Sequence, residues 1–107
     1  MIILNWNCRG AFKRSVKDRL HAFIRFSRVQ ALCLQETRLL LPQASKLIHS
    51  FGRHWNGVAA PSNRASGGII LAWDSTSINT KVLSIEPHVI HAIIGCHSCT
   101  PFLLSTL

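Results

Sequence analysis

The feature that most constrains the fold is a pair of short apolar runs, each closed by a polar cluster, with a helical stretch between them. Met1 to Trp6 carries Ile2, Ile3 and Leu4 and is closed by Asn7 to Gly10. Val29 to Leu34 is closed by Gln35, Glu36 and Thr37. Runs of this length bounded by polar residues read as buried strands. Between them Phe12, Val16, Leu20, Phe23 and Ile24 recur at helical spacing, while Lys13, Lys17, Arg25 and Arg28 fall elsewhere around the wheel. The span Phe12 to Arg28 is therefore an amphipathic helix with a basic exposed side. Ser15 followed by Asp18 offers a capping-box-like start, and Lys13 and Arg14 oppose the helix dipole, so the start is expected a residue or two after Phe12. A strand, a helix and a strand make a βαβ unit, whose crossover forces the strands parallel. Both polar clusters then emerge at one edge of the sheet, where α/β proteins place their sites, and Asn7 and Glu36 become neighbours across 29 positions of sequence.

The rest of the chain is β-rich. Pro42 to Phe51 reads as a short helix opened by proline, Trp55 to Ala60 as a short strand and Pro61 to Gly68 as loop. Gly67 and Gly68 lead into an apolar strand, Ile69 to Trp73, and Asp74 to Ser77 turns the chain. Lys81 to Ile85, Val89 to Ile94 and Phe102 to Leu107 complete the pattern as three more strands. No repeat, linker or low-complexity tract divides the 107 residues, so one domain or part of one is expected.

Charge narrows the function. Twelve Lys and Arg oppose four Asp and Glu, a formal charge of +8, the balance of a chain that meets polyanions. Eight of the twelve (Arg9, Lys13, Arg14, Lys17, Arg19, Arg25, Arg28 and Arg38) fall in the first 38 positions, so the positive potential is local. With 48% hydrophobic and 15% charged residues the chain is too apolar for a disordered tail and too poor in charge for a coiled coil. No apolar run approaches the ~20 residues that span a bilayer, and no signal-peptide pattern opens the chain, so no membrane association is expected. Cys8, Cys33, Cys96 and Cys99 are too sparse for a secreted disulfide scaffold and are expected as free thiols in a reducing, intracellular compartment, the nucleus being where DNA would be met.

The amide of Asn7 and the carboxylate of Glu36 are the pair that could carry chemistry. A single carboxylate suits a hard divalent ion, since Mg²⁺ takes oxygen ligands and needs only one or two protein carboxylates beside substrate phosphate. An amide can orient a phosphate without adding charge. From the residues alone, an ordinary polar cap on two strands is the commoner explanation of the pair.

The segments L-N-W-N-C-R-G at Leu4 to Gly10 and L-C-L-Q-E-T-R at Leu32 to Arg38 resemble the first two motifs of the endonuclease/exonuclease/phosphatase superfamily. The resemblance is closest to the apurinic-type endonuclease domain at the front of plant non-LTR retrotransposon polyproteins. Ser66 to Trp73 is similar to the family's glycine-led core strand. The resemblance implies the N-terminal portion of a four-layer α/β sandwich of DNase I-like type, incomplete in this chain. It places an active-site role on Asn7 and divalent-metal binding on Glu36, with Mg²⁺ or Mn²⁺ as cofactor and DNA as partner. The family's later motifs supply a Tyr or Asn, an Asp and Asn pair, and a final Asp and His pair. This sequence has no Tyr, and Asp18 and Asp74 sit in helix and turn patterns outside those motifs. Catalysis by this chain alone is therefore not expected. The rival readings are a noncatalytic nucleic-acid-binding fragment and a transposon relic without function.

His88, His91, Cys96, His97 and Cys99 form the other cluster with chemical potential. Zinc is disfavoured there because residues three apart on a strand face opposite ways and a second ligand pair is absent. A thioredoxin-like role fails because no helix begins at Cys96. Trp6, Trp55 and Trp73 lie in apolar patterns and are expected in the core rather than stacked on bases.

Overall fold

The two apolar runs at the head of the chain pair as parallel strands, with Ile3 opposite Ala31 and Asn7 opposite Gln35. The computed structural model describes residues 1–63 and 66–107. Its order is β1 (Ile3–Asn7), α1 (Arg14–Phe26), β2 (Ala31–Gln35), α2 (Leu41–Ser50), β3 (Trp55–Asn63), β4 (Ser66–Asp74), β5 (Ile78–Glu86), β6 (Val89–Cys96) and β7 (Cys99–Thr106). One sheet has the order β1-β2-β4-β3 and the other β5-β6-β7. In the first, β4 lies antiparallel to both β2 and β3. The second is antiparallel throughout.

Strand periodicity divides the core in two, because alternate side chains leave opposite faces of a sheet. Leu32, Leu34, Ile70 and Ala72 meet Val16 and Leu20 of α1 and Ala44, Leu47 and Ile48 of α2. Their neighbours Ala31, Cys33, Ile69 and Leu71 meet Ile78, Ile90, Ala92 and Ile94 of the second sheet. The layers are therefore helices, first sheet and second sheet. Each fully buried Leu or Ile contributes on the order of 1.5–3 kcal/mol. The three tryptophans belong to these two clusters, Trp55 buried and Trp6 and Trp73 packed against the edges, as expected of core residues. The outer face of the second sheet is uncovered: Leu83, Ile93 and Leu103 are exposed there. Among the described residues, no helix is long and apolar enough to cross a membrane.

Several local expectations change. Lys13, not Ser15, caps α1, and no side chain bonds there, so the Ser15–Asp18 box does not form. Phe12 is exposed before the helix starts, because the chain is still held by backbone pairing with the strand-end loops. Helix α2 begins at Leu41, with Pro42 in its first turn and Gln43 accepting the Leu40 N–H at 2.9 Å. Pro61 to Gly68 is not all loop: β3 runs to Asn63 and β4 starts at Ser66, the two positions between lying outside the described residues. Pro61 is accommodated because β3 is an edge strand, where a missing N–H breaks no ladder. The expectation of four free thiols holds for Cys8 and Cys33 only. Cys96 and Cys99 are joined across the β6–β7 turn, which brings their Cα atoms to 5.3 Å, within disulfide range.

Candidate functional site

The parallel pairing of β1 and β2 delivers their polar ends to one sheet edge. There the loops remain stitched together beyond the strands: Cys8 N–H donates to Gln35 O at 3.1 Å, Gly10 N–H to Glu36 O at 2.8 Å and Ala11 N–H to Thr37 O at 2.8 Å. The antiparallel strand β4 arrives on the other side, its Gly68 O accepting from Thr37 N–H at 3.1 Å and its Gly67 O from Arg38 N–H at 2.9 Å. Glu36 is thereby clamped between two strands' worth of backbone.

Glu36 and Arg38 have positive φ values of 52° and 57°, as does Arg9 at 50° in the facing loop. Non-glycine residues held in that region cost about 1–3 kcal/mol each, and such strain persists only where the surroundings over-determine it. The Glu36 carboxylate is itself held: its Oε2 accepts the Gly67 N–H at 3.0 Å and stands 3.8 Å from Arg38 Nε. Among the described residues, Oε1 accepts no hydrogen bond. Among the described residues, the Arg38 Nε is buried without a hydrogen-bond partner, since 3.8 Å is ion-pair distance only. Both groups are over one-third exposed, so screening keeps the pair weak.

Asn7, Gln35, Glu36, Gly68 and His88 line one cleft of about 300 Å³. Asn7 and Glu36 are thus brought together as the βαβ argument predicts. The β5–β6 turn adds Pro87 and His88 from the second sheet. His88 was assigned by sequence to the cysteine-rich cluster, and nothing in its local pattern marks it for this cleft; only the packing of the two sheets places it there. The cluster itself disperses. His91 bonds Ser105 Oγ at 2.7 Å through Nδ1 and stands 3.6 Å from Glu86 through Nε2, while the two cysteine sulfurs bond each other. Among the described residues, no group of three or more His, Cys, Asp or Glu is gathered for a metal.

The donor set at the cleft is of oxygen type, one carboxylate and two amides, with one carboxylate oxygen fixed and the other free of donors among the described residues. That composition fits Mg²⁺ or Mn²⁺, which keep waters and need few protein ligands, and does not fit zinc. Beneath it, burial pushes the Cys8 thiol up from its ordinary 9.0, with the Gly10 backbone acting the other way. Cys8 therefore stays protonated as a packing residue whose Sγ–H points to Gln35 O at 3.4 Å.

The sequence matches no protein-family model. It also matches none of the curated proteins. Solved structures do resemble it. An AP endonuclease of Leishmania major, LMAP, superposes with a TM-score of 0.70 at 19% identity over 97% of this chain and 38% of its own. A humanized D. rerio TDP2 gives 0.62 at 11% identity, over 96% of this chain and 47% of its own. A functionally unknown conserved protein of Enterococcus faecalis V583 gives 0.61 at 18%, over 98% and 51%. The chain spans about half or less of the structures it matches. The fold is therefore the one the motifs implied, a portion of a DNase I-like α/β sandwich.

Proposed function

We propose that this chain is the metal-holding part of a phosphodiesterase domain that cleaves DNA, related to the endonucleases of plant non-LTR retrotransposons. The observation that carries the reading is the convergence of Asn7 and Glu36 on one cleft, with the Glu36 carboxylate steered by the Gly67 N–H. Glu36 would hold Mg²⁺ or Mn²⁺, and the bound ion would supply positive charge to a phosphoryl oxygen. The Asn7 amide is an uncharged donor and acceptor able to orient a phosphate. Arg38, its Nε 3.8 Å from Glu36 Oε2, keeps a guanidinium beside the same carboxylate and balances its charge. The described residues of the cleft include no second carboxylate to orient a base, and His88 lies exposed. Activation of water then falls to groups outside this set, and the chain alone should bind metal without turning over.

Two measurements test this. Mn²⁺ should broaden the NMR signals of Asn7 and Gly67 selectively in the wild type and not in Glu36→Gln. Uniform broadening, or broadening unchanged by the substitution, refutes the metal assignment. Supercoiled plasmid with Mg²⁺ should remain uncut; nicking that disappears in Glu36→Ala would show that the chain is complete enough to act.

A further inference from the structure

A separate cleft of about 480 Å³ lies between α1 and α2. Two facing stripes line it. On α1, Arg14, Lys17 and His21 stand at positions i, i+3 and i+7, one face of the helix; on α2, Gln43, Lys46 and Ser50 repeat that spacing. Leu39 and Leu47, both buried, form the floor. His21 Nε2 and Ser50 Oγ, 3.1 Å apart, bridge the two helices at one end. The other end opens at Phe12 and Leu39, a few residues beyond Asn7 and Glu36 on the same two connections. The groove therefore leads away from the candidate site.

Its charge is one-sided. Arg14, Lys17 and Lys46 face one acid, Asp18, which pairs with Arg14 at 3.6 Å in a fully solvated geometry. Both helices run parallel, since each returns antiparallel to one of two parallel strands, so their positive dipole ends lie at the open end, and neither has an acid in its first turn. Lys17 is half-buried in the wall of the groove. The second sheet, by contrast, carries only Lys81 and Glu86. Three of the chain's twelve Lys and Arg line this one groove.

We propose that the α1–α2 groove is a binding track for the phosphate backbone of DNA, continuing from the Asn7–Glu36 cleft across the loops that bear Arg9 and Lys13. The choice of DNA rests on the reading of that cleft given above. The contacts are charge on phosphate, without base readout, so the binding is independent of sequence and falls steeply with salt.

The test is duplex oligonucleotide binding by fluorescence anisotropy, in EDTA, across a salt series. Each phosphate neutralised contributes about 0.9 to the slope of log affinity against log salt, so replacing three groove cations by Gln (R14Q, K17Q, K46Q) should flatten the slope by about 2.7. A control with the same loss of charge at exposed positions outside the groove (R25Q, R53Q, K81Q) should change it by less than about 0.9. Asp18→Asn, which frees Arg14, should tighten binding and steepen the slope. Equal flattening by both triples, or none in the groove triple, overturns the proposal. The metal experiment with Glu36→Gln is independent of this one: flattening without Mn²⁺ broadening leaves the groove standing and removes the catalytic reading, and the converse removes only the groove.

Discussion

The pair Gly67 and Gly68 offers a way to separate backbone strain from steric contact at the wall of the candidate site. Both have positive φ, 75° and 93°, so alanine at either position is forced into a conformation that costs an L-residue about 1–2 kcal/mol. They differ in what a Cβ would meet. At Gly67 nothing lies within 4 Å; at Gly68 the added atom would collide with Thr37 Oγ1 and come within 3.1 Å of Arg38 N. Thr37 is itself 1% exposed and its N–H is tied to Gly68 O, so neither partner can retreat without disturbing the Glu36 loop. Overpacking of this kind adds about 1–3 kcal/mol. Gly67→Ala should therefore destabilise by about 1–2 kcal/mol and Gly68→Ala by about 2–5 kcal/mol. For a chain of this size 1 kcal/mol is about 4–8 °C in Tm, so thermal melts followed by circular dichroism resolve the two. Adding Thr37→Ala to Gly68→Ala should recover the steric part and leave the φ part. If Gly68→Ala melts no lower than Gly67→Ala, or if Thr37→Ala rescues nothing, then the close approach of β4 to the Glu36 loop is not what fixes that loop.

Three further outcomes follow from the packing. Burial raises the Cys33 thiol above its ordinary 9.0, so the folded state resists thiolate formation; stability is complete below pH about 9, the unfolded value, and declines as pH rises through the folded one. Urea titrations from pH 8 to 10.5 should show that decline, and Cys33→Ala should flatten it; an identical pH slope in both proteins rejects the assignment. Leu20→Ala, at a fully buried helix position against the first sheet, should cost about 2–5 kcal/mol, checked by the urea midpoint at constant m-value. Leu103→Lys, on the uncovered face of the second sheet, should change stability by no more than about 0.5 kcal/mol while raising the concentration at which light scattering appears.

How far the sequence could be read depended on the range of the interactions that decide each element. The β1–α1–β2 unit is local, and its consequence, Asn7 beside Glu36, needs only the handedness and direction of a crossover. The alternation of Leu32 and Leu34 with Ala31 and Cys33 likewise shows on the page as a strand buried on both faces. Helix α1 starts at Arg14, within the expected two residues of Phe12, but its cap differs because a Ser-x-x-Asp pattern is a local preference, whereas Gly10 and Ala11 are held by backbone bonds to a loop 26 residues away. The strands β3 and β4 are both expected from sequence, but their facing ends within Pro61 to Gly68 read as loop for the opposite reason. Pro61 and the glycines Gly67 and Gly68 carry strong local breaker signals, yet an edge position excuses the proline and the approach of Thr37 requires the glycine.

His88 shows where local reasoning stops. The nearest histidines and cysteines in sequence are His91, Cys96, His97 and Cys99, and spacing alone groups it with them. Strand alternation already argued against that grouping, since His88 and His91 cannot share a face, but it could not say where His88 goes instead. That depends on the angle at which the second sheet lies on the first, set by side chains such as Ile69, Ile90 and Ile94 meeting in the middle of the sandwich. The candidate site is thus composite: its Asn7–Glu36 half follows from the topology of one continuous segment, and its opposite wall is delivered by core packing. Substitutions at that packing layer should accordingly move His88 relative to Glu36 while leaving the Gly67 N–H to Glu36 bond intact. In an Ile90→Val protein, loss of Mn²⁺ broadening at His88 with retention at Asn7 and Gly67 is the expected pattern, and simultaneous loss at all three would show that the two halves are not independent.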